Sequence, residues 1–184
     1  LKVTELLRQA EQLQQQKQPE QAWALLQQAV AADPRYAESA WRAGVAAAEL
    51  GHCEKALQLF RQARDEDICP LRATQPILDA ITRVSQQEQV PLVDFAAILD
   101  ANGLQKRGCA VPGDEGFLDH VHPTIDMHRD LAVALGQQLQ QLQLVAADVD
   151  FPQRARQIEP AILATLDEPR QAVGLITVAQ VLSW

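Results

Sequence analysis

The chain has 184 residues, of which 47% are hydrophobic and 22% charged, and its formal net charge is −8. This composition is typical of a globular protein and allows one domain or two small ones. The acidic balance, without a basic cluster, argues against a nucleic-acid partner. No apolar run approaches the roughly 20 residues of a membrane span. Because the chain begins at Leu1, we expect its natural N-terminus to be missing. The compartment stays open, with the cytoplasm slightly favoured.

Two segments near the N-terminus repeat one another. The matched pairs, each 34 residues apart, are Ala10 with Gly44, Ala22 with Ala56, Leu26 with Phe60, Ala29 with Ala63 and Pro34 with Ile68. Pro19, Pro34 and Gly51 punctuate the pattern, which predicts four helices near residues 3–16, 19–32, 37–50 and 53–66. The small residues and the Ala-x-x-x-Phe-x-x-Ala spacing of the second segment resemble the tetratricopeptide repeat. This resemblance implies stacked helical hairpins whose groove receives a peptide or protein partner.

Within these repeats, Gly44 and Ala56 should let the two helices of a pair approach closely, while Leu26 and Phe60 fill the space between pairs. Trp41 is expected in the packing as well. The cysteines Cys53, Cys69 and Cys109 are odd in number and widely spaced, so we expect buried reduced thiols rather than a disulfide framework or a metal site.

The pattern changes after the repeats. Ile77, Leu78, Ile81 and Val84 form the stripe of an amphipathic helix. The segment QVPLVDF, residues 89–95, is apolar and predicts a buried strand of a parallel sheet. AAILDANG predicts a helical turn or two that closes at Asn102 and Gly103. A loop, a helix through residues 131–135 and a tail of two helices broken near residues 167–169 complete the expected order.

The stretch FLDHVHPTIDMHRDLAVAL contains three of the four histidines, and three interpretations compete for it. His120, His122 and His128 with Asp126 could be metal ligands, although the spacing fits poorly. Alternatively, Pro123 takes the first position of a helix, His122 caps it, and Asp126 only favours the helix dipole. In the third, Asp119 accepts the Nδ1–H of His122, three residues away, and leaves Nε2 as a base.

The segments PLVDF and FLDHVHPTIDMHRDLAVAL resemble the end of the SGNH (GDSL-type) hydrolases, in which a last strand precedes Asp-x-x-His-Pro and a closing helix. Asp119, His122 and Pro123 match that motif. Family members with inserted tetratricopeptide repeats are similar in order over residues 37–136, including the junction CPLR at residues 69–72. The resemblance implies that His122 is a general base and Asp119 orients it. Arg72 and His120 are weaker candidates for substrate contact, and His128 is expected at the surface.

The family's Gly-Asp-Ser nucleophile block is absent, because Ser39, Ser85 and Ser183 lie in other contexts, Gly113-Asp114 is followed by Glu115, and Asn102 is the sole asparagine. We therefore expect the C-terminal part of a serine ester or acyl hydrolase, acting on an ester or an acylated small molecule or glycan. The serine would come from a missing upstream part, and no cofactor or metal is expected. The alternative is a non-catalytic tetratricopeptide-repeat scaffold for protein interactions.

The predicted fold class is mainly α. Helical hairpins occupy residues 1–68, and the terminal helix-strand-loop-helix part of an α/β SGNH domain occupies residues 69–143. A helical tail, or the start of further repeats, occupies residues 144–184. A strand in residues 89–95 needs neighbours that this chain does not provide, so residues 88–120 are predicted to be less ordered than the repeats.

Overall fold

The computed structural model describes residues 2–111, 113, 115–119, 121–167, 173, 174 and 176. The protein is mainly helical, as predicted, with 68% of the described residues in helices. In the described part of the chain the helices are α1 (Lys2–Gln15), α2 (Pro19–Ala32), α3 (Ala37–Glu49), α4 (Cys53–Asp65), α5 (Gln75–Gln87), α6 (Phe95–Arg107), α7 (Ile125–Gln141) and α8 (Phe151–Leu163). None of these helices is long and apolar enough to cross a membrane.

The described residues fall into two compact units. One lies within residues 1–90 and 100–112, and the other within residues 91–99 and 113–184. The predicted boundaries after residues 68 and 143 stay predictions. The second tail helix was expected beyond residue 169, and most of those residues lie outside the described part of the chain.

Helices α1 to α4 form two consecutive hairpins, and their bounds agree with the predicted ones to within one residue. Pro19 occupies the first turn of α2, where a missing N–H costs no hydrogen bond. Gly51 makes the turn between α3 and α4 with φ +78°, a conformation that glycine adopts without strain. Helix α1 packs on α2, α2 on α3, and α3 on α4. This arrangement is compatible with a tetratricopeptide-like fold.

Alanines dominate the core of the hairpins, so the helices lie close together. Ala10, Ala22, Ala43 and Ala56 are fully buried, and Leu26 is 1% exposed. This close packing explains why small residues recur with the repeat.

The two aromatic residues that were expected in the packing have different outcomes. Phe60 packs against the core of the hairpins, as predicted, and its ring lies against Gly44 of the same hairpin. The expectation that Trp41 is packed in the core was wrong, since it is 52% exposed. The buried face of α3 consists of small residues such as Ala40 and Ala43, and Trp41 does not belong to that face.

The predicted helix near residues 71–87 is confirmed as α5, but the strand predicted for residues 89–95 was wrong. Gln89 has φ +53°, an irregular segment follows, and α6 begins at Phe95. The Asp94 carboxylate accepts a hydrogen bond from the Ala97 N–H (3.0 Å), which favours a helix start at this point. A strand also needs partners, and β pairing in the described residues is limited to the bridge between Phe117 and Pro123.

The prediction that this helix closes at Asn102 and Gly103 was wrong, because α6 continues to Arg107. Gly108, with φ +69°, ends it. Gly103 is needed for a different reason: a Cβ there would lie 3.0 Å from the carbonyl oxygens of Cys109 and Val111. The chain after α6 therefore passes closely over the helix it has just left.

The cysteine prediction was wrong as well. Cys53 and Cys109 form a disulfide, with Cα atoms 5.3 Å apart, and Cys69 is free and exposed. Sequence spacing could not show this pairing, because 56 residues separate the two partners and only the packing of the chain after α6 brings them together.

In the second unit, α7 contacts α8. Arg129 of α7 donates to the Glu159 carboxylate of α8 at 2.6 Å, and the Phe151 ring lies against Gly136. The predicted closing helix is thus confirmed, and its contacts with α8 include an ion pair and a ring packed on a glycine. The prediction that residues 88–120 are less ordered than the repeats stays a prediction.

Candidate functional site

The loop before α7 is closed at its base by its own backbone. The Leu118 N–H donates to the His122 carbonyl (2.8 Å), and the Thr124 N–H donates to the Gly116 carbonyl (3.1 Å). The Thr124 hydroxyl also donates to the Glu115 carbonyl (3.0 Å). Together with the Phe117–Pro123 bridge, these bonds hold Leu118, Asp119, Val121 and His122 in a small loop at the N-terminal end of α7.

Asp119 and His122 face each other across this loop. The Asp119 carboxylate accepts hydrogen bonds through Oδ1 from the N–H groups of Val121 (2.8 Å) and His122 (2.7 Å). Its other oxygen, Oδ2, lies 2.7 Å from Nδ1 of the His122 ring. The carboxylate side chain is 13% exposed and the imidazole 71% exposed. The acid is therefore held by the loop, and the ring it contacts is open to solvent.

The two backbone N–H groups, first that of Val121 and then that of His122, lower the pKa of Asp119 well below its usual range, and the His122 ring lowers it further. Asp119 is thus ionised at neutral pH. An ionised carboxylate can only accept hydrogen bonds, so Nδ1 of His122 must carry the proton that joins them. In the neutral ring, Nε2 is then left with a free lone pair.

The start of α7 differs from the interpretation in which His122 caps the helix. Pro123 was expected at the first helical position with His122 as the cap, but the cap is Thr124, whose hydroxyl accepts a hydrogen bond from the Met127 N–H (3.4 Å), and the helix begins at Ile125. Threonine supplies an oxygen to the free N–H groups of the first turn. His122 therefore does not cap the helix, and its ring contacts Asp119 instead.

The other residues predicted for this stretch take different positions. His128 is exposed, as predicted. Asp126 lies in the first turn of α7 and accepts a hydrogen bond from Arg129 (3.2 Å). Among the described residues, no cluster of three or more His, Cys, Asp or Glu side chains could hold a metal ion. His120 lies outside the described residues. Arg72 is exposed between α4 and α5, and its role in substrate binding stays a prediction.

The described serines, Ser39 and Ser85, do not form a nucleophile block. Ser39 is buried in α3, and the Ser85 hydroxyl donates to the Val90 carbonyl at 2.6 Å. Ser183 lies outside the described residues. Asn102 was expected in a cap turn but lies inside α6. The described loop therefore contains a carboxylate and an imidazole. Without a nucleophile, this pair can only transfer protons.

A second feature, which the sequence did not indicate, is a shallow groove along α1 and α3. Glu11 and Gln14 of α1 and Trp41, Arg42 and Val45 of α3 line it. The Arg42 guanidinium contacts the carboxylates of Glu38 (2.6 Å) and Glu11 (3.7 Å), which ties the two helices together. The sequence pattern that could have indicated this groove is the i, i+4 spacing of Trp41 and Val45, which places two apolar side chains on one side of α3.

No protein-family model, curated protein or solved structure matches this chain. The function is therefore argued from the chemistry of the loop and the groove.

Proposed function

We propose that Asp119 and His122 are the orienting acid and the general base of a serine-type ester or acyl hydrolase, whose nucleophile comes from sequence outside these 184 residues. The observation that carries the proposal is the 2.7 Å contact between Asp119 Oδ2 and His122 Nδ1, with the ring otherwise open to solvent. In a triad, the histidine takes the serine proton through Nε2, and the aspartate keeps the ring in the required tautomer.

The rigidity of the acid supports this role. Three donors hold the Asp119 carboxylate, two from the backbone and one from the ring. It can therefore stabilise the imidazolium that forms when His122 accepts a proton, without a rearrangement of the loop. An acid that serves only as a turn-forming residue needs the backbone bonds and not the bond to the ring.

Exposed apolar side chains give independent support. On α5, Ile77, Ile81 and Val84 are each about half exposed, and Val90 and Leu92 in the following segment are also exposed. A stripe of this kind is typical of a helix that packs on a sheet, and exposed apolar patches mark surfaces that bind another protein element. In the proposed hydrolase, strands from outside these residues cover this stripe.

The test is hydrolysis of p-nitrophenyl acetate by the full-length polypeptide that contains these residues. His122→Ala should lower kcat/KM by several orders of magnitude, because the serine loses its base. The matched control is His128→Ala, which removes an exposed histidine six residues away and should leave the rate unchanged. The 184-residue chain alone should be inactive, since the base has no hydroxyl to deprotonate. Equal rates for His122→Ala and His128→Ala would refute the proposal.

A protein-interaction scaffold is the second candidate, and the observation that favours it is the exposed Trp41 beside Val45 in the groove of α1 and α3. Aromatic residues with apolar neighbours are common anchors of binding surfaces. The test is selection of displayed unstructured peptides on the 184-residue chain. Trp41→Ala should abolish capture of the selected peptides, and Tyr36→Ala, which removes another half-exposed aromatic side chain, should not.

A further inference from the structure

The disulfide between Cys53 and Cys109 lies at a place where thiol chemistry is favoured. Cys53 is the first residue of α4. The free N–H groups and the dipole of a helix N-terminus stabilise a thiolate, which makes a cysteine there a good nucleophile and a good leaving group. Cys53 is partly exposed, whereas Cys109 is 8% exposed. An attacking thiolate therefore reaches the bond from the Cys53 side.

A shallow depression of the surface lies on that side. Its lining includes Trp23, Gly51, His52, Cys53 and Lys55, and the rings of Trp23 and His52 lie with centroids 6.3 Å apart. The depression is open to solvent, and its volume is about 660 Å³. A tripeptide-sized thiol has room beside Cys53, and the lining contains one negative and one positive side chain, Glu54 and Lys55.

The other end of the bond is attached to a segment that packs on the repeats. Cys109 follows Gly108 at the end of α6, and Val111 packs against the core formed by α1 to α4. The carbonyls of Cys109 and Val111 pass over Gly103. The disulfide is thus a covalent attachment of residues 108–111 to the start of α4.

We propose that Cys53 and Cys109 form a reversible thiol–disulfide exchange site for a small thiol, and that reduction releases residues 108–111 from the helical repeats. A thiolate attacks Sγ of Cys53 and forms a mixed disulfide, while the bond to Cys109 breaks. Cys109 leaves with the electron pair and takes a proton. A second thiolate attacks the outer sulfur of the mixed disulfide, which frees Cys53 as a thiolate and yields the oxidised small thiol. Two thiols supply the two electrons.

The experiment uses the 184-residue chain with Cys69→Ser, which removes the exposed third thiol. Without denaturant, the chain is equilibrated in buffers with rising ratios of reduced to oxidised glutathione. Free thiols are then counted by alkylation and mass spectrometry. We expect none in oxidised buffer and two in reduced buffer, with full reversal. Hydrogen exchange of residues 104–111 should quicken about tenfold or more on reduction, while α1 and α2 keep their protection.

Single variants distinguish the reactivity of Cys53 from that of Cys109. With Cys109→Ser, Cys53 should take up glutathione as a mixed disulfide at least about tenfold faster than Cys109 does in the Cys53→Ser variant. Two free thiols in oxidised buffer would overturn the proposal, as would thiols that appear only when urea is added. Unchanged exchange of residues 104–111 after reduction would overturn the release. All of these outcomes are independent of the role of His122.

Discussion

The contact between Gly44 and Phe60 gives a sharp test of the packing of the hairpins. In Gly44→Ala, the added Cβ would lie 2.9 Å from Cε1, 3.0 Å from Cδ1 and 3.2 Å from Cγ of the Phe60 ring. These distances are shorter than van der Waals contacts. Cγ is attached directly to the Phe60 Cβ, so the ring cannot avoid the methyl group by a movement of its tip alone.

Two effects of opposite sign determine the result. Alanine is favoured over glycine inside a helix by about 1 kcal/mol. Overpacking of a close-packed core costs about 1–3 kcal/mol. The steric term should prevail, and we expect Gly44→Ala to lower the free energy of unfolding by about 1 kcal/mol. In a Phe60→Leu background the clash is relieved. The same substitution should then stabilise the protein by a few tenths to about 1 kcal/mol.

The measurement is urea unfolding of four proteins: the wild type, the two single variants and the double variant. The cycle isolates the coupling between the two sites, which should be about 1–2 kcal/mol in favour of the double variant. A Gly44→Ala variant that is more stable than the wild type by about 1 kcal/mol would refute the reasoning, because helix propensity would then act without a steric cost. Additive effects in the cycle would also contradict it.

Three further predictions concern the core, the disulfide and the loop. Leu26→Ala should cost about 2–5 kcal/mol in urea unfolding, since Leu26 is 1% exposed, and a loss below about 1 kcal/mol would contradict its place in the core. Cys109→Ser opens a loop whose ends are 56 residues apart and should lower stability in oxidising buffer by up to about 4 kcal/mol, with no difference once the wild type is reduced. Because folding lowers the pKa of Asp119, its carboxylate stabilises the loop fully above the usual carboxyl pKa of about 3.9. This stabilisation is lost as the pH falls further. Amide exchange at Val121 and His122, corrected for intrinsic rates, should therefore lose protection in acid, and Asp119→Asn should remove this pH dependence.

Several predictions that depend on local signals agreed with the structure. Proline at the start of α2 and Gly51 after α3 fixed the bounds of the hairpins, because these residues act on their own backbone. The contact between Asp119 and His122 was predictable for the same reason, since the two residues are only three apart and share one loop. Its catalytic role needs partners that the spacing does not supply.

The failures involve interactions between distant residues or a competition between neighbours. A strand in residues 89–95 requires a sheet, and apolar character alone did not distinguish it from an irregular segment before α6. The pairing of Cys53 with Cys109 spans 56 residues. At the start of α7, Thr124 and Pro123 are both favourable helix starters, and the hydroxyl, which supplies a hydrogen bond, became the cap.

The most direct test of the proposed site is the tautomer of His122. Two-bond ¹H–¹⁵N correlation spectra of the ring would be recorded about two pH units above the usual imidazole pKa. We predict the proton on Nδ1 and a free lone pair on Nε2 in the wild type, with the Nδ1–H form lost in Asp119→Asn, since that tautomer depends on the carboxylate. A wild-type ring that carries its proton on Nε2 would contradict the account, because His122 could not then act as the base.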